Sequence, residues 1–198
     1  MTRSDHNPLM RSDVPMGPAI GLLELGSVAR GIEIADAILW EAEIELLFAS
    51  SVQPGKYVML FSGSVDDLEA ALRRGAELAG TDLIDRLLIP QVHPQVENGL
   101  RRRDGNIEGT LDALGVIETA SIAAAILAAD AALKQSAVDL LELRIANGLG
   151  GRSYLSVTGE VSDVRSAVLS GSKCAETSGM LLRQVVIPRP HPDLARHL

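Results

Sequence analysis

Residues 20–47 read IGLLELGSVARGIEIADAILWEAEIELL, and residues 114–141 read LGVIETASIAAAILAADAALKQSAVDLL. Eleven of the 28 aligned pairs are identical, and most of the others exchange one apolar residue for another. Two further matches follow in the same order, PGKYVMLFSGSVDDL (54–68) with GGRSYLSVTGEVSDV (150–164), and IPQVHP (89–94) with IPRPHP (187–192). Self-similarity that stays in step over this length indicates an internal duplication. The chain therefore contains two repeats of one structural unit.

The duplication predicts the domain organisation. We expect a flexible tail over 1–18, a first domain over 19–96, a connector over 97–113 and a second domain over 114–198. The connector lacks apolar periodicity, which is typical of an exposed segment. The two domains also differ in net charge. The first has five Lys and Arg against twelve Asp and Glu, whereas the second has eight basic and eight acidic residues.

Each repeat predicts the element order β-α-β-β-α-β. In the first repeat, apolar runs predict four strands, at 19–25, 44–52, 56–62 and 83–90. Ser27 and Ser64 are N-cap candidates for the two helices between them. This order is the ferredoxin-like, or split βαβ, arrangement, an α+β fold in which helices pack on one face of an antiparallel sheet. Such sheets leave edges that need cover, so we expect the two domains to pack side by side or in a ring.

The composition excludes several classes of function. The chain has 198 residues, 46% of them apolar and 22% charged, which is typical of a globular protein. Its single cysteine, Cys174, rules out an internal disulfide or a four-cysteine zinc site. A net charge of −8 argues against a nucleic-acid partner. No apolar run reaches the ~18 residues of a membrane helix, and no signal-type stretch is present, so we expect a cytoplasmic protein without a membrane partner.

Motifs that carry catalysis are missing from the sequence, which contains no HExxH, GxSxG or CxxC. Glu24 and Glu118 occupy equivalent positions in the two repeats, and so do His93 and His191. One such residue in each repeat favours a structural or edge contact over acid–base catalysis. Cys174, on the second helix of the second repeat, is predicted to be a buried thiol. We therefore predict a protein that is not an enzyme and has no metal site.

The turns between the second and third strands differ between the repeats. They read SVQPGK at 51–56 and NGLGGR at 147–152. Successive glycine N–H groups in the second turn are compatible with anion binding. A nucleotide loop runs from a strand into a helix, however, and SYLSVTG at 153–159 predicts another strand. From the residues alone, a plain hairpin turn is favoured and an anion-binding loop stays open.

The segments ADAALK, GEVSDV and IPRPHP, together with the glycine-rich turn, resemble the bacterial microcompartment shell-protein domain. The tandem repeat resembles the trimeric class, in which each chain holds two domains and three chains form a pseudohexameric tile. The unpermuted order is most similar to the single-layer trimer of propanediol-utilisation shells that carries an iron–sulfur cluster. The resemblance implies a structural component of a microcompartment shell, a homotrimer that joins hexameric and pentameric tiles and passes small metabolites or cofactors through a central pore.

The resemblance also implies a pore lining, because in that family the turns between strands two and three surround the central axis. The corresponding residues are Ser51, Val52, Gln53, Pro54, Gly55, Asn147, Gly148, Leu149, Gly150 and Gly151. In the iron–sulfur relative, a cysteine stands one residue before the Pro-Gly of the first turn, where this chain has Gln53. Since glutamine offers no thiolate, we predict no cofactor and an open or water-filled pore.

The same resemblance implies which residues form the tile edges. In that family, a lysine at the end of the first helix and an arginine in a PRPH motif join neighbouring tiles. The second repeat keeps these as Lys134, Arg189 and His191, and the first repeat has Trp40, Gln91 and His93 at the equivalent positions. Trp40 is interpreted either as an interface anchor or as a core residue. Two other functions stay open, a redox tile with an axial iron–sulfur centre and a trimeric metabolite-binding or enzymatic ferredoxin-like protein.

Overall fold

The computed structural model describes residue 10 and residues 15–101, 111–145 and 148–195. The first repeat forms seven strands and α-helices, with a 3-10 turn at Gly80–Asp82 before the fourth strand: β1 (Ile20–Leu25), α1 (Val28–Glu41), β2 (Ile44–Val52), β3 (Lys56–Gly63), α2 (Val65–Ala79), β4 (Leu83–Ile89) and α3 (Pro94–Arg101). The second repeat forms the equivalent seven, β5 (Ala113–Thr119), α4 (Ile122–Gln135), β6 (Asp139–Ile145), β7 (Ser153–Gly159), α5 (Val161–Thr177), β8 (Leu181–Pro188) and α6 (Pro192–Ala195). Among the described residues, no helix has the length and apolar character needed to span a membrane.

The two sheets have the same topology. Their strand orders are β2-β3-β1-β4 and β6-β7-β5-β8, and every neighbouring pair is antiparallel. The register shifts at matching places, between Leu46 and Phe48 in one sheet and between Leu140 and Glu142 in the other. The structure therefore has the predicted α+β, split βαβ fold in both repeats.

Helix starts follow the predicted capping residues. The Ser27 hydroxyl accepts from the Arg30 N–H at 3.4 Å, and the Ser64 hydroxyl accepts from the Asp67 N–H at 3.1 Å. In the second repeat, Ser121 caps α4 in the same way. These bonds satisfy N–H groups that the first turn of a helix otherwise leaves without an intrahelical partner.

Aliphatic side chains and alanines build the cores. Phe61, Leu23, Ile34 and Leu68 are fully buried together in the first repeat. In the second repeat the first helix is buried mostly through small residues, Ala123, Ala124, Ala125, Ala128, Ala129 and Ala132. Short side chains let a helix approach its neighbours closely, which explains how a chain with 3% aromatic residues fills its interior.

The chain divides into two compact units that do not coincide with the two repeats. Of the described residues, the first unit contains 10, 15–92 and 148–151, and the second contains 93–101, 111–145 and 152–195. The turn between β6 and β7 therefore belongs to the unit of the first repeat. Conversely, α3, which follows β4, belongs to the unit of the second repeat. Each unit includes a segment that the other repeat contributes.

The expectation of an exposed connector from residue 97 onward is wrong for its first part. Residues 97–101 are the end of α3, in which Val96 and Leu100 are buried. A Cβ placed on Gly99 would lie 2.7 Å from Leu140 Cδ2, so this helix packs closely on β6. Two apolar residues spaced by four in an otherwise polar segment are enough to bury one face of a two-turn helix.

Candidate functional site

The two turns predicted to line a pore lie against each other within the first unit. The first turn closes with a hydrogen bond from the Gly55 N–H to the Val52 carbonyl at 2.9 Å. A Cβ placed on Gly151 of the second turn would lie 2.8 Å from Pro54 Cδ and 3.0 Å from Lys56 Cε. Both turns connect strands, so the second is a hairpin rather than a strand-to-helix phosphate loop.

Lys56 joins the two turns and a buried carboxylate. Its ammonium donates to Glu24 Oε1 at 2.7 Å and to the Gly151 carbonyl at 3.0 Å. The Glu24 side chain is 0% exposed and that of Lys56 is 15% exposed. Glu24 faces Val58 across β1 and β3, which places Lys56 two residues further along on the same face of the sheet. This ion pair holds the second turn at the start of β3.

The second repeat contains the same pair in a different environment. Arg152 Nη1, from the residue just before β7, lies 3.2 Å from Oε1 of Glu118 on β5. Here the Arg152 side chain is 62% exposed and the Glu118 side chain is 38% exposed. The structural contact expected of Glu24 and Glu118 is thus an ion pair in both repeats, and in the first repeat the lysine also bonds to a turn from the other repeat.

The predicted pore residues separate into exposed and buried members. Those that the structure leaves exposed are Ser51, Gln53, Pro54, Gly55, Gly148 and Gly150. Leu149 is half-buried, whereas Val52 and Gly151 are buried and present no side chain on the surface of the turn. Asn147 lies outside the described residues.

The second turn requires glycine both for its backbone conformation and for its packing. Gly148, Gly150 and Gly151 have φ values of 76°, 60° and 83°. Residues with a Cβ rarely adopt this left-handed region, and at Gly151 a side chain would also collide with Pro54. We infer that this turn tolerates no larger residue at position 151 without moving away from the first turn.

The predicted edge residues are accessible to different degrees. Trp40 is 85% exposed at the end of α1, so the interpretation as a core residue is wrong. Gln91, Arg189 and His191 are exposed, and His93 is half-buried. Arg189 has φ 48°, and its N–H donates to the Asp112 carbonyl at 2.7 Å.

Asp130 links an edge lysine to the segment around His93. Lys134 Nζ lies 2.5 Å from Asp130 Oδ2, and the lysine side chain is 45% exposed. The other oxygen of this carboxylate accepts from the His93 backbone N–H at 2.8 Å. Asp130 and Asp36 occupy matching positions of α4 and α1, a correspondence that favours a structural contact, and the structure shows the partners of Asp130.

The BMC domain model matches residues 19–92 and again residues 113–190. The chain belongs to the BMC-domain family of bacterial microcompartment shell proteins. It is 41% identical over 186 residues to the bacterial microcompartment shell protein PduT of Citrobacter freundii, an overlap of 92% of this chain and 98% of that one. A crystal structure of a microcompartments protein from Desulfitobacterium hafniense DCB is 44% identical and superposes with a TM-score of 0.73, covering 90% of this chain and 98% of that one.

A more distant structure has the same fold. The fused permuted hexameric shell protein from the RMM microcompartment is 20% identical, with a TM-score of 0.61 over 80% of this chain and 83% of that one. The family assignment confirms three predictions, the tandem shell domain, a structural rather than enzymatic role and a place in the shell of a bacterial microcompartment.

The one cysteine of this shell protein is half-buried on α5, outside both turns in the sequence. Burial raises the pKa of the Cys174 thiol, and the nearby Asp130 carboxylate raises it further. A raised pKa keeps the group as a thiol, whereas metal ligation requires the thiolate. The described residues contain no cluster of three or more His, Cys, Asp or Glu side chains that is arranged to hold a metal ion.

We expect Cys174 to react slowly with iodoacetamide at pH 8. The thiolate is the reacting species, and the folded environment opposes its formation. Alkylation rates measured from pH 7 to 10 should reach half their maximum at a higher pH in the folded shell protein than in the same chain unfolded in urea. Equal pH profiles in the two states would contradict this expectation.

Proposed function

We propose that this shell protein forms a homotrimer, a pseudohexameric tile whose two kinds of turn surround a central pore for small metabolites. The observation that carries the proposal is the hydrogen bond from Lys56 to the Gly151 carbonyl. It keeps the turns of two successive repeats side by side, as neighbouring members of a ring require. Three chains supply six such turns, alternating between the two kinds.

The chemistry of the exposed turn residues favours passage of small polar molecules. The exposed members are glycines, a proline, a serine and Gln53, all without charge. Backbone amides and the Gln53 carboxamide offer hydrogen bonds to a passing molecule without attracting one sign of charge. A pore of this kind selects by size and polarity more than by charge.

An iron–sulfur centre on the axis is not part of this proposal. Gln53 occupies the position before the Pro-Gly of the first turn, and its carboxamide is a poor ligand for iron. Cys174 on α5 is remote in sequence from both turns, and its thiol has a raised pKa. We therefore propose a tile without a cofactor.

Assembly into a shell would use the exposed edge residues. Shell proteins of this family assemble with other shell proteins. We assign edge contacts to Lys134, Arg189 and His191 on the second repeat, and to Trp40, Gln91 and His93 on the first. Because the two sets differ, the tile would have two kinds of edge, suited to different hexameric or pentameric neighbours.

Four measurements on the purified protein test the proposal. Light scattering coupled to size exclusion should give the mass of three chains, and electron microscopy of concentrated protein should show sheets or tubes of hexagonal tiles. Iron analysis should find no stoichiometric metal, and the visible spectrum should lack charge-transfer bands. A monomer would contradict the tile and the pore together, and bound iron would instead identify a redox tile.

A further inference from the structure

A groove lies between α2 and β4, beside the outer strand of the first sheet. Because β4 is the last strand in the order β2-β3-β1-β4, it has no second neighbouring strand among the described residues. The groove has a volume of about 300 Å³, the lower end of the range for small-molecule sites. Its lining residues are Glu69, Leu72, Arg73, Arg86, Leu87 and Leu88. All of them belong to the first unit, and none belongs to either turn at the proposed axis.

The inner part of this groove is apolar. A Cβ placed on Gly75 of α2 would collide with Leu23 Cδ1, so Leu23 faces the helices. Arg86 lies directly opposite Leu23 across the ladder, and side chains two residues apart on a strand share a face. Arg86 and Leu88 therefore lie on the same side of β4 as α2. With the buried Leu72 of α2, the half-buried Leu88 provides an aliphatic surface for a ligand.

The arginines of the first domain lack the partners that its composition would lead one to expect. The domain contains five basic residues and twelve acidic ones, so carboxylates are plentiful. Two of the basic residues, Arg30 and Lys56, form ion pairs. The guanidinium groups of the other three, Arg73, Arg74 and Arg86, have no ion-pair or hydrogen-bond partner in the part of the chain that the structure describes. A guanidinium that stays unpaired in so acidic a domain is available to an external anion.

Two of these three arginines line the groove, one from each element. Arg73 comes from α2 and Arg86 from β4, and both are exposed. Glu69 also lines the groove, one helical turn before Arg73, so the lining has an excess of one positive charge. One carboxylate balances this excess, whereas a second carboxylate would be repelled by Glu69. The planar guanidinium group also matches the geometry of a carboxylate, which favours a monocarboxylate as the ligand.

The second repeat does not contain the same set of residues. Leu169 and Gln184 stand at the positions of Arg73 and Arg86, and Arg165 stands at the position of Glu69. Both guanidinium groups of the groove are therefore absent from the equivalent positions. Since the two repeats share their fold, this difference is not required by the fold itself. We expect one site in each chain, on the first repeat.

We propose that the groove between α2 and β4 binds a small monocarboxylate with an aliphatic chain. The chain of the ligand lies against Leu72 and Leu88, and its carboxylate accepts hydrogen bonds from Arg73 and Arg86. Burial of the aliphatic chain and the charge-assisted hydrogen bonds act on opposite ends of the same molecule. The site lies within the first unit of a single chain, so it depends neither on the trimer nor on the pore proposed above.

Titration of the full chain with hexanoate, followed by saturation-transfer difference NMR of the ligand, tests this proposal. Hexanoate is expected to bind about tenfold or more tightly than acetate, because acetate lacks the methylene groups that would cover the two leucines. Hexylammonium has a chain of the same length with the opposite charge, and it is expected not to bind. Together the three probes measure the contributions of the aliphatic chain and of the charge separately.

Single substitutions locate the binding in the groove. Arg73→Gln and Arg86→Gln are each expected to weaken hexanoate binding by about tenfold, the effect of removing one charge-assisted hydrogen bond. Arg74→Gln is the matched control, because it removes the same charge from an exposed neighbouring residue that does not line the groove. Absence of hexanoate binding, equal binding of hexanoate and hexylammonium, or equal effects of Arg74→Gln and Arg86→Gln would each overturn the site. Light scattering of the same samples reports the trimer independently.

Discussion

Replacing Lys56 by methionine is expected to destabilise the folded chain by roughly 3–5 kcal/mol, the cost of removing one partner of a buried ion pair. The Glu24 carboxylate is fully buried, and the ammonium 2.7 Å away supplies the opposite charge that makes this burial tolerable. The same substitution removes the hydrogen bond to the Gly151 carbonyl, which is one attachment of the second turn. Lys56 therefore contributes both to stability and to the position of the turns.

The second repeat provides the matched control, Arg152→Met. Its ion pair with Glu118 has the same place in the sheet but is largely exposed, and exposed pairs contribute about 0–1 kcal/mol. Urea unfolding at equal protein concentration measures both variants, with the concentration held constant because assembly adds to the apparent stability. Glu24→Leu combined with Lys56→Met should regain most of the loss, since an apolar pair of similar volume replaces a buried ion pair at little cost. A similar decrease in the free energy of unfolding in Lys56→Met and Arg152→Met would show that burial does not distinguish the two sites.

The helices and strands could be predicted because the same pattern of apolar and capping residues occurs independently in both repeats. Ser27 and Ser121 both precede an apolar-periodic run, and both cap a helix in the structure. Strand boundaries followed from the apolar runs and the turn residues between them. Agreement between two divergent copies removes much of the ambiguity that a single short apolar run carries.

The exchange of segments between the repeats could not be predicted in this way. Self-comparison identifies equivalent residues, but equivalence says nothing about which residues are covered. Glu24 and Glu118 are the same residue type at the same register, yet one is fully buried and the other is partly exposed. The difference arises from a turn contributed by the other repeat, which lies more than 90 residues away in the sequence.

The sequence nevertheless contains a pattern that predicts the two ion pairs. The carboxylates Glu24 and Glu118 correspond, and so do the cations Lys56 and Arg152. In an antiparallel pair, residues that lie diagonally opposite on one face are within reach of long side chains. Opposite charges retained at both positions of both repeats therefore predict a contact, which an inspection of each residue by itself does not reveal.

Lys134→Ala and Arg189→Ala are each expected to leave the trimer intact and to abolish extended sheets. The pair between Lys134 and Asp130 is a partly exposed contact spaced by four on a helix, so its loss costs about 0.5 kcal/mol or less. The Arg189 side chain is exposed, and the backbone hydrogen bond of this residue to Asp112 does not depend on it. Neither substitution touches the turns at the proposed axis.

The expected loss of sheets follows from repetition of a weak contact. A tile edge contributes few residues, so the lattice depends on the same small contact made at every boundary, and a modest loss at each one removes long-range order. Lys173→Ala and Arg165→Ala are the controls, because both residues are exposed on α5 and carry the same charge outside the assigned edge. Light scattering reports the trimer and electron microscopy reports the sheets. Sheets of normal extent in both Lys134→Ala and Arg189→Ala would place the tile edge elsewhere, and the exposed Trp40 on the first repeat would then be the next residue to vary.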